Sequence, residues 1–300
     1  MNKIFVGPNG LRAGWRALLF VVLTLVIGVL MTKVAGALIK SLIGYVPNPE
    51  GPRFGLLRES VVIVATVGAT AVMAWFEHRP IWSYGLTDPR GGRRFGAGAL
   101  CGFVALSLLV GFLNLTGYLQ LDGPELHGLL ALRLAVDWAV VFTVVAVAEE
   151  MLLRGYLQQT LARGMGFWPA AVLLSIGFGL IHLGNTGEAA IGIAGAALGG
   201  LVFCYSLWRS SSLWWAIGAH AGWDWAQSYF YGTADSGLSV YGHLFGARPL
   251  GPSWLSGGTV GPEGSIFVLI AFLVFVPVIR YTLRPLTAGE LPTTRTPTTE

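Results

Sequence analysis

Two adjacent carboxylates and a guanidinium, in Glu149-Glu150-Met151-Leu152-Leu153-Arg154, stand inside a hydrophobic run from Leu134 to Leu161. Ionisable groups at membrane depth are costly, and they mark a working site with a partner close by. Glu150 and Arg154 are four apart, share a helix face and predict a buried, mainly structural ion pair. Glu149 sits one step, roughly 100°, round the helix, and is predicted to face a cavity. Two further apolar runs carry Phe178-Gly179-Leu180-Ile181-His182 and His220-Ala221-Gly222-Trp223-Asp224. His220 and Asp224 repeat the four-residue spacing, so the carboxylate is expected to hold the imidazole in one tautomer. A carboxylate withdrawn from bulk water becomes a better base, and a neighbouring imidazole can share its proton or a metal. These are the parts of a hydrolytic site built between transmembrane helices.

The elements that must position these groups follow from composition. The chain has 300 residues, 54% hydrophobic and 11% charged, against about 25% charged in a soluble domain. The fold class expected is all-α, a polytopic membrane helix bundle of about eight transmembrane helices. The spans read as roughly 17–39, 60–76, 95–116, 134–161, 168–183, 189–208, 212–231 and 264–281, with the second and fifth short. Twelve of the 19 Lys and Arg residues then fall on one side and six on the other. That bias predicts both termini cytoplasmic, and the location expected is the bacterial plasma membrane. The apolar run after Lys3, Arg12 and Arg16 reads as a retained signal-anchor, since no small-residue cleavage site ends it. At about 1.5 Å per residue, Glu149, His182, His220 and Asp224 fall in one layer, roughly 12–21 Å from the cytoplasmic ends of their spans.

Residues 1–284 are expected to form one membrane-embedded domain with its motif-bearing core at about 138–231, followed by a disordered tail, 285–300. The stretch from Tyr231 to Pro262 is rich in Gly, Ser and Pro and reads as a long external connection. Segment six carries Gly192, Ala196 and Gly200, with Gly195 and Gly199 alongside, and such small residues suit close packing inside one bundle. Arg133 and Asp137 predict a second pair near an interface. His78, His127 and His243 lie in connections, and Cys101 and Cys204 read as buried small hydrophobes. The net charge of +4 is dispersed between the spans and suits lipid headgroups; no nucleic-acid partner is implied. His-Glu-x-x-His and Gly-x-Ser-x-Gly are both missing, which excludes the usual zinc-protease helix and the nucleophile elbow.

Glu149-Glu150-x-x-x-Arg154, Phe178-x-x-x-His182 and His220-x-x-x-Asp224, in that order on separate apolar segments, resemble the CPBP family. This is the group of CAAX-type and bacteriocin-processing (Abi) intramembrane proteases. The resemblance covers roughly Trp138 to Tyr231. It implies an eight-helix bundle with an internal cavity and hydrolysis of peptide bonds in a membrane-associated peptide or protein. By motif, Glu149 and His182 would activate the attacking water, and His220 with the residue four later would stabilise the oxyanion. That last position is often Asn in the family and is Asp224 here. An ionised Asp would repel an oxyanion, so a role in orienting His220 is favoured. The resemblance leaves open zinc, held by Glu149, His182 and His220, and a metal-free glutamate mechanism; two imidazoles and a carboxylate suit zinc better than most cations. Two other classes stand beside the protease: a non-enzymatic membrane immunity or binding factor, and a proton-coupled transporter, though no inverted repeat is visible.

Overall fold

The structure is a computed structural model, and it describes residues 5–7, 10–44, 47–185, 187 and 189–285. The protein is an all-α polytopic membrane bundle. A two-residue hairpin, β1 (Val6–Gly7) with β2 (Gly10–Leu11), precedes α1 (Ala13–Leu38). Then come α2 (Pro52–Phe76), α3 (Gly91–Leu115), strand β3 (Leu119–Pro124), α4 (Gly128–Glu150) and α5 (Gln158–Met165). After these lie α6 (Phe167–Ile181), α7 (Ala190–Ser210), α8 (Trp214–Asp224), strand β4 (Phe245–Pro249), the single turn α9 (Ser253–Ser256) and α10 (Val268–Thr282). Six of these helical stretches are long and apolar enough to cross a membrane, and α10 is a shorter apolar helix.

Every predicted span contains a helix, but some bounds move. The second, read as short from residue 60, starts at Pro52 and takes in Arg58 and Glu59. A proline at the first helical position fits that start, because its missing N–H would have had no partner there. The fourth runs without a break from Gly128 to Met165. It changes winding on the way: Met151–Leu157 is π-helical and joins α4 to α5. The same change follows α8, where Trp225–Phe230 is π-helical. Such turns are rare and recur at functional sites. The first stretch contains Arg154 and the second directly follows Asp224; a third, Ile39–Ile43, follows α1 and carries no part of a motif.

The connection 231–262 has structure of its own, which corrects the reading of it as irregular. β4 pairs antiparallel with β3, with Leu121 opposite Ala247 and a bulge before Pro124. Tyr241 N–H donates to Glu50 O, and Trp138 Nε1–H to Tyr241 O. The segment is thus tied to the start of α2 and to α4, and Pro285 is the last residue described of the proposed tail; the remainder, 286–300, lies outside the described residues.

Helix packing is closest between α3 and α8. A Cβ on Gly98 would lie 2.2 Å from Trp215 O, and one on Gly102 2.1 Å from Ala219 O. The contact is reciprocal, since a Cβ on Gly218 or Gly222 would lie 2.1 or 2.2 Å from Phe95 O or Ala99 O. Two Gly-x-x-x-Gly faces therefore bring two backbones together. The small residues of α7 serve the bundle too. Gly195 and Gly199 meet Val268 and Phe272 of α10, and Gly200 meets Arg154.

At the end of the bundle away from this connection, Glu77 gathers four donors. Tyr156 Oη donates to it at 2.6 Å, Arg163 at 3.0 Å and Tyr84 Oη at 3.3 Å, and Arg16 lies 3.5 Å away. α1, the exit of α2 and the α4–α5 rod are fastened at this one carboxylate.

Overpacking usually costs about 1–3 kcal/mol, and backbone has no room to yield. Gly218→Ala should cost at least that and sharply reduce monodisperse protein in detergent. Gly111→Ala on α3, where a Cβ would meet nothing within 4 Å, should melt within a degree or two of wild type. Equal melting of the two variants would refute close contact of α3 with α8.

Candidate active site

A cavity of about 800 Å³ lies within the bundle, walled by α2, α4, α6, α7, α8 and the connection 231–262. Glu149, His182, His220 and Asp224 all line it. They come from three helical stretches: Glu149 from α4, His182 from the turn that ends α6, and His220 with Asp224 from α8. Glu150 and Arg154 stand behind the wall, fully buried.

Glu150 is the centre of this arrangement. Arg154 Nη1 donates to Glu150 Oε1 at 3.1 Å, as the spacing predicted. The same oxygen lies 3.1 Å from His220 Nδ1. Glu150 thus does more than pair with Arg154: it holds the imidazole of another helix, which sequence spacing could not reveal. Adjacent carboxylates on one helix point in different directions, so Glu149 reaches the cavity while Glu150 reaches α8.

Aromatic rings fill the space between these groups. The Arg154 guanidinium lies 4.8 Å over Phe178 and 5.8 Å over Phe203. Phe178 meets His182 edge-on at 4.8 Å, and Phe203 stacks on His220 at 5.7 Å and 26°. One buried cation therefore sits behind both histidines, with one ring before each. Gly200 makes room for it, because a Cβ there would lie 2.5 Å from Arg154 Nη2.

The two imidazoles present different atoms. His182 Nδ1 lies 2.7 Å from the carbonyl of Phe178. A carbonyl only accepts, so Nδ1 carries the proton and Nε2 is the other functional nitrogen. His220 faces the other way, with Nδ1 on Glu150 and Nε2 3.5 Å from Asp224 Oδ2 and 3.8 Å from Glu149 Oε2. Asp224 was expected to orient His220. Its contact is longer than a hydrogen bond, and the firmer hold is that of Glu150 on the opposite nitrogen. The spacing of His220 and Asp224 carried no sign of this, because the holding group comes from another helix.

For a metal, the donor types suit zinc but their arrangement does not gather them. Among the described residues, no three His, Cys, Asp or Glu side chains are grouped to hold an ion. Glu149, His182 and His220 share the cavity without forming a three-donor cluster.

Several groups of the wall had not been singled out from sequence. Arg58 and Glu59 line it from α2, and Asp235 and Glu263 from the far connection. Glu263 accepts from both the backbone N–H and the hydroxyl of Ser236, and Ser228 Oγ donates to Asp235 Oδ2 at 3.2 Å. Asp235 is held well above the usual carboxylate range, first by burial and then by the charges of Asp224 and Glu263. The remaining polar residues lie elsewhere. Arg133 and Asp137 approach to 3.8 Å with both side chains well exposed, His243 pairs with Glu125 at 3.1 Å, and the two cysteines are free. His78 ends the α2 turn and His127 precedes α4. Neither lines the cavity.

Residues 131–226, about a third of the chain, match the family model described as type II CAAX prenyl endopeptidase Rce1-like. The matched stretch contains all three motifs, and the match supports the CPBP/CAAX protease family. No curated protein and no solved structure matches the chain.

Removing one partner of a buried ion pair costs about 3–5 kcal/mol. Arg154→Ala should lose stability on that scale, read as a lower melting temperature and folded yield in detergent. A variant as stable as wild type yet inactive would move Arg154 into the chemistry. Asp235 gives a pH test. A carboxyl whose pKa rises on folding contributes stability that is complete below its unfolded pKa and lost as pH rises through the folded value. Asp235→Asn should therefore flatten the loss of thermal stability as pH rises, and be the more stable protein at alkaline pH. Parallel stability–pH curves for the two proteins would contradict the burial of this carboxyl.

Proposed function

We propose that the chain is an intramembrane endopeptidase of the CAAX type that hydrolyses peptide bonds of a membrane-associated peptide or protein. One observation carries the reading: a carboxylate and two imidazoles from three separate helical stretches line a single cavity inside an apolar bundle. The coarse assignment to intramembrane proteases is supported by the family match. The division of labour that follows is inferred from geometry.

Glu149 is the general base. Its carboxylate takes a proton from a water in the cavity as the oxygen attacks the substrate carbonyl, and His182, through Nε2, holds that water. His220 is placed to stabilise the charge that develops on the carbonyl oxygen. With Nδ1–H donating to the Glu150 carboxylate, the ring turns Nε2 to the cavity, and the doubly protonated imidazolium donates its Nε2–H to the oxyanion. Donors fixed before reaction are the source of such stabilisation, and the Arg154–Glu150–His220 chain supplies that fixity. Protonated Glu149 then returns its proton to the leaving amine.

General-base catalysis is worth about 10²–10⁴ in rate. Glu149→Gln should lose at least that much proteolysis, measured by comparing membrane proteomes of cells carrying wild type and variant. Activity should survive exhaustive chelation, with the metal content followed by elemental analysis. Reversible loss on chelation, restored by stoichiometric zinc, would replace the metal-free mechanism. Unchanged proteomes would favour the binding-factor reading.

A further inference from the structure

α2 carries a charged pair for which the mechanism has no use. Arg58 and Glu59 stand in an apolar helix long enough to cross a membrane, and both line the cavity. Charges in such a segment are expensive and point to function. The Glu59 side chain is only 7% exposed, and it accepts from Arg58 Nε at 2.6 Å. The Arg58 side chain is 52% exposed, and among the described residues no protein group accepts from its Nη1 or Nη2. Gripped at Nε by a buried carboxylate, the guanidinium is fixed in plane and its two-nitrogen end is left open. That edge matches a carboxylate in bidentate geometry.

The rest of the wall bears the opposite charge. Glu149, Asp224, Asp235 and Glu263 line the same space, and Arg58 is the sole Arg or Lys among the described lining residues. A carboxylate entering this cavity is repelled by these acids and has one guanidinium to settle on.

We infer that Arg58 is a specificity-determining residue that anchors a carboxylate of the substrate and so sets which peptide bond meets Glu149. The inference rests on the endopeptidase reading for what the substrate is, though not for the binding itself. The carboxylate belongs either to an acidic side chain or to a free C-terminus, and the chemistry at Arg58 is the same for both.

The test uses full-length Glu149→Gln protein in detergent, where binding needs no turnover. Three N-acetylated hexapeptides of Ala and Leu are titrated by calorimetry: one with a free C-terminal carboxylate, its C-terminal amide, and the amide with one internal Glu. At least one carboxylate peptide should bind about tenfold tighter than the plain amide, and which one does so names the source. Adding Arg58→Gln should erase the preference. Arg58→Lys keeps the charge without the fork and should restore only part of it, which guards against a misfolded Gln variant. Equal binding of the three peptides, binding of none, or a preference that survives Arg58→Gln would overturn the inference; an Arg58 that holds a lipid phosphate instead gives that flat result. The two readings fail separately. A carboxylate preference without any proteolysis removes the endopeptidase and keeps the anchor, and proteolysis without the preference does the reverse.

Discussion

One buried oxygen organises the site. Glu150 Oε1 lies within hydrogen-bond distance of both Arg154 and His220. In a low-dielectric interior an uncompensated carboxylate costs several kcal/mol, so this one must keep its partners. The requirement fixes the distance between α4 and α8. It also fixes the ring plane of His220 and the place of the guanidinium between Phe178 and Phe203. The close approach of α3 to α8 backs the helix that carries His220 from another side, through backbone contacts at Gly98, Gly102, Gly218 and Gly222.

Much of this was legible in sequence, for physical reasons. Apolar runs of spanning length can only be helices, since a membrane leaves no backbone group unpaired. Polar groups in such runs stand out against them, and Glu149, His182, His220 and Asp224 were all readable on that account. Glu150 was legible only in part, because four-residue spacing reports contacts within a helix and is blind to His220 seventy positions away. Arg58 and Glu59 were missed for a different reason. A hydropathy reading starts a span after the last charge, so it put both in a loop. Asp235 and Glu263 come from a Gly-rich connection with no periodicity to read. The paired Gly-x-x-x-Gly faces of α3 and α8 were present as pattern, but which stripe meets which depends on tertiary packing.

Charge is distributed unevenly along the bundle. At one end Glu77 collects Tyr156, Arg163, Tyr84 and Arg16, so a single acid is surrounded by donors. At the cavity the excess is reversed, with several acids and few cations. The first arrangement is closed and suits an anchor. The second is open, and its carboxylates border the cavity.

The change of winding at Met151–Leu157 has a consequence for how such a rod can vary. A π-helical turn takes up an extra residue relative to an α-helix, and each residue of an α-helix accounts for about 100° of rotation. Met151–Leu157 therefore resets the phase between two halves of one continuous rod. The half before it aims Glu149 at the cavity, the π-helical turn itself carries Tyr156 to Glu77, and the half after it aims Arg163 at the same carboxylate. The two directions are geared independently, as by a slip joint in a shaft. Residues can drift on the anchoring half without turning Glu149 away from the cavity, and the cavity can be reshaped without loosening the foundation on which the bundle stands.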